Sequence, residues 1–175
     1  ENAHQRNIGG SWTAVLLQSQ RYLQHLPVES AGKRLIGYDV IIGSTCLDSV
    51  VADYYNDSTD IFDHINSFGA QAVFIAFPNP DDIDGNDILN LRHDIEDRIS
   101  ADILEPMNLG KVLGGASGIH SSYIDLIVYD LITFIHAVKP LLEQYPQFDC
   151  YLSDFRRNSE LTRLTEASTG LIGAR

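Results

Sequence analysis

The stretch "VLGGASGIHSSYIDLIVYD", residues 112–130, decides the fold. Three glycines and two small residues lead into His120, two serines and an apolar run with Asp125 near its centre. A phosphate-cradling loop needs its glycines between a strand and a helix, with Lys and Ser/Thr following in a Walker loop. Here both flanks read as strands, over 111–118 and 122–130. The stretch is therefore an antiparallel hairpin whose glycines serve a bulge or a wide turn. Alternation along the second strand puts Ile124, Leu126 and Val128 on one face and Tyr123, Asp125, Ile127 and Tyr129 on the other.

The flanking segments extend this pair into a sheet. "QAVFIAF" (71–77) reads as a buried strand ended by Pro78 and Pro80. A helix over about 87–105 follows, with Ile88, Leu91, Ile95, Ile99 and Ile103 on one face, Arg92, His93 and Glu96 off it, and Pro106 closing it. Beyond the hairpin, Asp130 caps a helix striped by Leu131, Phe134, Ile135, Val138, Leu142 and Tyr145, with a kink or break expected at Pro140. "FDCYLSDF" (148–155) alternates as a last strand. The order from 71 to 155 is β-α-β-β-α-β, the ferredoxin-like split βαβ pattern of an α+β domain.

Residues 1–70 read as an N-terminal α-β-α elaboration. Trp12, Val15, Leu16, Ser19, Tyr22, Leu23 and Leu26 recur at helical spacing from Ser11 to Pro27. "LIGYDVIIG" (35–43) is a strand, and the βαβ order suggests that it joins the same sheet by a right-handed crossover. Thr45 and Asp48 form a variant capping box for a helix carrying Leu47, Val50, Val51 and Tyr54, and "DIFDHINSF" (60–68) is a second helical piece stopped by Gly69. Residues 156–175 are a tail with a short helix over "RRNSELTRLTEAS" and a frayed end. The whole reads as a single domain.

Charge separates the function classes. The chain of 175 residues carries a net charge of −12. From Leu35 to Leu91 it has no Lys or Arg, while ten aspartates fall in that span. Nucleic acid is a poor partner for such a surface, which lacks the clustered cations that phosphates require. No apolar run approaches the roughly 18–20 residues that span a bilayer. Cys46 and Cys150 make no disulfide framework, which points to free thiols and a cytoplasmic protein, although Glu1 is also compatible with a cleaved leader.

Catalytic motifs are missing where they would be diagnostic. No GxSxG elbow accompanies Ser121 and Ser122, and His4, His25, His64, His93, His120 and His136 show no metal-ligand spacing. "PNPDDIDGNDIL" (78–89) resembles a calcium loop, but with Gly85 sixth, Pro80 and Leu91 occupy ligand positions, so it reads as an acidic turn. No metal or cofactor is expected.

The residues Gly110, Val112, Gly114, Gly115, Tyr123, Ile124 and Asp125 lie between "LRHDIEDRISADIL" and "ITFIHAVKPLLEQY". This run resembles small bacterial ferredoxin-like domains, mostly uncharacterised, some of which act as immunity or interaction proteins. The resemblance covers about residues 71–155 and supplies no catalytic residues. It implies a non-enzymatic binding protein. With the acidic span, the expected function is an immunity-type inhibitor that masks a basic toxin or another basic protein. Asp53, Asp57, Asp60 and Asp63, with Tyr54 and Tyr55, are the expected contacts, combining charge with aromatic anchors. An alternative is a small enzyme or ligand-binding domain built on His120, Tyr123 and Asp125, with Asp149 or Tyr151 from the last strand. A third is a homodimer paired through a sheet edge.

Overall fold

The computed structural model describes residues 13–19, 39–80, 84–118, 120–156 and 159–167. The chain runs through β1 (Thr13–Ser19), β2 (Asp39–Thr45), α1 (Asp48–Asn56), α2 (Asp60–Ser67) and β3 (Gln71–Pro78). It continues with α3 (Gly85–Arg98), a π-helical segment Ile99–Leu104, α4 (Glu105–Met107), β4 (Gly110–Ser117) and β5 (Ser121–Val128). Then come α5 (Leu131–Leu142), β6 (Tyr151–Asp154) and β7 (Thr162–Arg163). Seven strands among these residues form one sheet in the order β1-β2-β4-β5-β3-β6-β7.

The inner order β4-β5-β3-β6, with every neighbour antiparallel, is the ferredoxin-like arrangement expected for 71–155. Both faces of that sheet are covered. On one, Val73, Ile75 and Phe77 of β3 and Ile124, Leu126 and Val128 of β5 meet Ile95, Ile99 and Ile103 of the α3 arm and Phe134 and Val138 of α5. On the other, Ala72, Phe74 and Ala76 of β3 and Tyr123 of β5 meet Val50 and Val51 of α1 and Phe62 and Ile65 of α2. Each fully buried Ile or Phe side chain contributes about 1.5–3 kcal/mol, so both layers hold on the same strands. The N-terminal elaboration is thus the second helical layer.

Several elements differ from the sequence reading. Residues 13–19 form an edge strand rather than a helix, pairing with β2 from Thr13↔Thr45 to Ser19↔Asp39; Trp12 and residues 20–38 lie outside the described residues. A short apolar run fits either period, and a seven-residue partner strand decides it. The N-terminal order is therefore β-β-α-α, not α-β-α. The strand read at 35–43 is β2 and runs on to Thr45, joining β4 antiparallel over Ile42↔Ser117 to Thr45↔Gly114. Chained through β4 and β5, this register makes β2 antiparallel to β3, so no parallel crossover links them.

Caps and helix ends are mixed. Thr45 Oγ1 accepts from Leu47 N at 3.1 Å, and α1 starts one residue later without a side-chain cap. Asp130 does cap α5, accepting from Thr133 N at 3.0 Å and Thr133 Oγ1 at 2.7 Å. The α3 arm passes through Pro106, which sits in the first turn of α4 where no N–H is needed, and stops at left-handed Asn108 (φ 50°). Helix α5 includes Pro140 and ends two residues later. The tail forms β7 where a helix was expected, because Thr162 and Arg163 pair with Leu152 and Tyr151; residues 168–175 lie outside the described residues.

Candidate functional site

The acidic span folds into the α1–α2 layer. Helix α1 stops when Asp57 turns left-handed (φ 55°), its N–H meeting the Asp53 and Tyr54 carbonyls. Ser58 N donates to Asp53 O at 2.9 Å, and the Asp53 carboxylate accepts from Ile61 N at 2.7 Å. One aspartate thereby ties the end of α1 to the first turn of α2, where a negative charge is favoured. Thr59 Oγ1 donates to Asp63 Oδ2 at 2.8 Å and braces the same turn.

This corner opens into a cleft of about 320 Å³. Asp53 and Tyr54 line it from α1, Asp57, Ser58 and Thr59 from the connection, and Phe155, Arg156 and Ser159 from the segment after β6. Its floor is aromatic. Tyr54 is 7% exposed and Phe155 1%, and Phe155 packs against Phe62 (6.4 Å, stacked) and Phe74 (5.5 Å, edge-on). Arg156 reaches Asp63 at 3.3 Å and Asp154 at 3.8 Å, both exposed pairs that add little stability.

The expected contact residues divide accordingly. Asp57, Asp60 and Asp63 are exposed. Asp53 is half-buried and works as a brace, while Tyr54 is part of the floor rather than an exposed anchor. The Tyr55 side chain lies outside the described residues. Phe155, Arg156 and Ser159 were not legible as site residues. Alternation in "FDCYLSDF" marks Phe155 only as facing one side of the sheet, and no local signal brings Arg156 to Asp63, 93 positions earlier.

His120, Tyr123 and Asp125 do not converge. Tyr123 is 1% exposed and lies edge-on to Phe74 at 6.2 Å, inside the core. Asp125 is buried two residues further along the same strand face. His120 stands before β5, roughly 16 Å from Asp125 along an extended chain. Asp149 and Tyr151 belong to the segment across β3, about 10 Å from β5. Burial would raise the Asp149 carboxyl, but the Ala167 N–H at 2.7 Å and Arg163 at 2.6 Å hold it below its ordinary value. That group fastens β7 to β6.

The turn holding His120 is a structural knot. Asn79 N donates to His120 O at 2.8 Å, Asn79 Nδ2 to Gly118 O at 2.7 Å, and Ser122 Oγ to Asn79 Oδ1 at 2.8 Å. Asn79→Ala removes two of these three bonds and leaves fully buried Ser122 short of an acceptor. It should cost about 2 kcal/mol, read as a shift of the urea midpoint at constant m-value.

A second polar cluster sits under α3. Arg92, read as lying off the apolar face, is 5% exposed. Its guanidinium rests over Gly115, where any side chain would overlap Arg92 Nη1. It donates to Glu96 Oε2 at 2.7 Å and Ser117 Oγ at 3.2 Å, and lies 2.6 Å from His93 Nε2. Since guanidinium only donates, this contact forms with the neutral His93 ring, whose Nε2 accepts. Burial and the adjacent Arg92 hold His93 below its ordinary range. Burial pushes Glu96 up to about 6 despite Arg92. The cluster is closed to solvent on the sheet side and locks α3 to β4.

A seven-stranded antiparallel sheet around a ferredoxin-like core, with helices on both faces, defines an α+β domain with an open cleft in its acidic layer. No protein-family model matches the chain, and comparison with curated proteins and with solved structures finds no similar one. Among the described residues no helix is long and apolar enough to cross a membrane.

Proposed function

We propose that this chain is a non-enzymatic acidic binding protein that docks a basic protein on its α1–α2 face, as an immunity-type inhibitor masks a basic toxin. The observation that carries the reading is the cleft, where Asp57 stands at the mouth, exposed Asp60 and Asp63 stand nearby, and the aromatic floor belongs to the core. A rigid floor with a charged rim gives a partner area and register at little entropic cost. Uncompensated charge on the rim accelerates encounter with a cationic surface. Free Cys46 and Cys150 fit a reducing, cytoplasmic setting. The alternative site around His120, Tyr123 and Asp125 gains no support, because its groups are spread over core and turn.

The test is to read the neighbouring gene and, where it encodes a basic toxin domain, to co-express the two. Growth should be restored, and the association rate of the purified pair should fall about tenfold between low and physiological salt. Unrestored growth, or the lack of any such neighbour, removes the immunity reading. An association rate independent of salt removes the steering.

A further inference from the structure

Most of the large apolar side chains left in water stand at one end of the sheet. Strand β3 begins there at Gln71, paired with Val128 at the end of β5, and Val128 pairs in turn with Gly110 at the start of β4. Neighbouring strands lie about 4.8 Å apart, so the connections 68–71, 107–111 and 129–133 share that end. Among the described residues five large hydrophobic side chains are exposed, and four belong to these connections: Phe68 (77%), Met107 (48%), Tyr129 (44%) and Ile132 (71%). The fifth, Leu89, lies roughly 25 Å from Met107 along the α3 arm.

The elements that carry this patch are fixed. Phe68 closes α2 and stands edge-on to His64 at 5.1 Å. The Tyr129 N–H donates to Leu109 O at 2.8 Å, and Ile132 sits in the first turn of α5, which Asp130 caps. The four residues leave roughly 450 Å² in water, most of it apolar, which matches the largest patch of an ordinary monomer. It is also on the order of half the ~800 Å² that each partner gives to a stable interface, the share that is apolar in such interfaces.

Charge selects the occupant. The chain carries −12, yet the three connections hold one cation, Lys111, and one anion, Asp130. Asp130 is engaged by Thr133 at 2.7 Å. A neutral end offers no attraction to a basic protein, and anionic lipid headgroups repel so acidic a chain. Two copies repel one another through their acidic surfaces and meet without that cost at their neutral ends. A two-fold axis then sets the same apolar surface against itself. We propose that this end of the sheet is a homodimer surface, on which Phe68, Met107, Tyr129 and Ile132 of one copy cover those of a second. The contact uses the ends of the strands, not a sheet edge, and it is independent of the acidic-face reading.

Sedimentation equilibrium of the whole protein from about 5 to 500 μM is the test, with a dissociation constant of tens of micromolar expected. Added salt should tighten the dimer, since it screens the repulsion between two acidic chains. That sign is opposite to the one expected for a basic partner on the acidic face. Phe68→Gln and Ile132→Gln remove exposed apolar surface without adding charge, and each should weaken the dimer about tenfold. Leu89→Gln should leave it unchanged. A parent protein that stays monomeric at the highest concentration overturns the proposal, and co-flotation of that monomer with phosphatidylcholine vesicles would give the end to a lipid surface instead. A dimer that weakens with salt, keeps its affinity in both variants, or loses as much to Leu89→Gln overturns it as well.

Discussion

Gly114→Ala is expected to destabilise the protein by about 3–5 kcal/mol and to loosen one side of the sheet first. Gly114 lies inside β4 at φ 152°, beside a register shift between Val112 and Gly114. An added methyl would overlap Ser44 O and stand 2.8 Å from Ser44 C and 2.9 Å from Thr45 Cα. These are backbone atoms of β2, which cannot swing aside as a side chain would. Relief requires β2 to leave β4, and among the described residues four pairs plus the bond from Cys46 N to Leu113 O at 2.7 Å hold that seam. Helix α1 begins three residues beyond β2, so the acidic layer should loosen with it. Hydrogen exchange should show lost protection in β1, β2 and α1, with β3, β5 and α5 still protected. A variant within about 0.5 kcal/mol of the parent, with β2 protected, would mean that this bulge does not fix the seam.

The same seam explains what the sequence revealed. The strands β3 and β5 are legible because each is an apolar run bounded by Pro or polar turns, and α5 because Asp130 caps a clean stripe. There, local pattern and tertiary pairing agree. In Thr13–Ser19 they diverge: four consecutive apolar residues suit a helix or a strand, and the edge of β2, across 32 positions from Thr13 to Thr45, settles the matter. The same holds for Thr162–Arg163, a strand only through β6 and Asp149.

The site divides along the same line. Its charge is visible as composition, since ten aspartates without a cation need no fold to be counted. Its shape is not visible, because Phe155 and Arg156 reach α1 and α2 from the far end of the chain. Arg92 is the sharpest case. Helical spacing marks it as polar and outward, yet Gly115 pairs with Ile124 and so faces α3 with empty space. A glycine in a strand can mean room for a partner's side chain rather than a turn.

Arg92→Met should cost about 2–4 kcal/mol at pH 7.5, because it removes one half of a mostly buried pair while keeping the volume. Methionine fills the notch over Gly115 but donates to none of Glu96, Ser117 and His93. The cost sits below that of a fully enclosed pair because the Glu96 side chain is 21% exposed. In the parent, Glu96 is raised from 4.5 to about 6, chiefly by burial, which outweighs the attraction of Arg92; Asp97 and Asp125 add to the rise. The folded protein therefore holds that proton more tightly than the unfolded chain. Its stabilising effect is complete below pH 4.5 and is lost as pH climbs through 6, a change of roughly 2 kcal/mol. His93 slopes the other way, since its lowered value favours the neutral ring above pH 6.5 and costs stability as pH falls. Glu96→Gln keeps an acceptor for Arg92 and should abolish the first slope, leaving the second. In Arg92→Met the first slope should steepen, since burial then acts on Glu96 without a cation. Adding Glu96→Gln to Arg92→Met should recover much of the loss at pH 7.5. Urea unfolding of the four proteins from pH 4.5 to 8 measures all of this. Parallel pH profiles for parent and Glu96→Gln would show that Glu96 titrates as an ordinary surface acid and that packing over Gly115, rather than charge, holds α3 to β4.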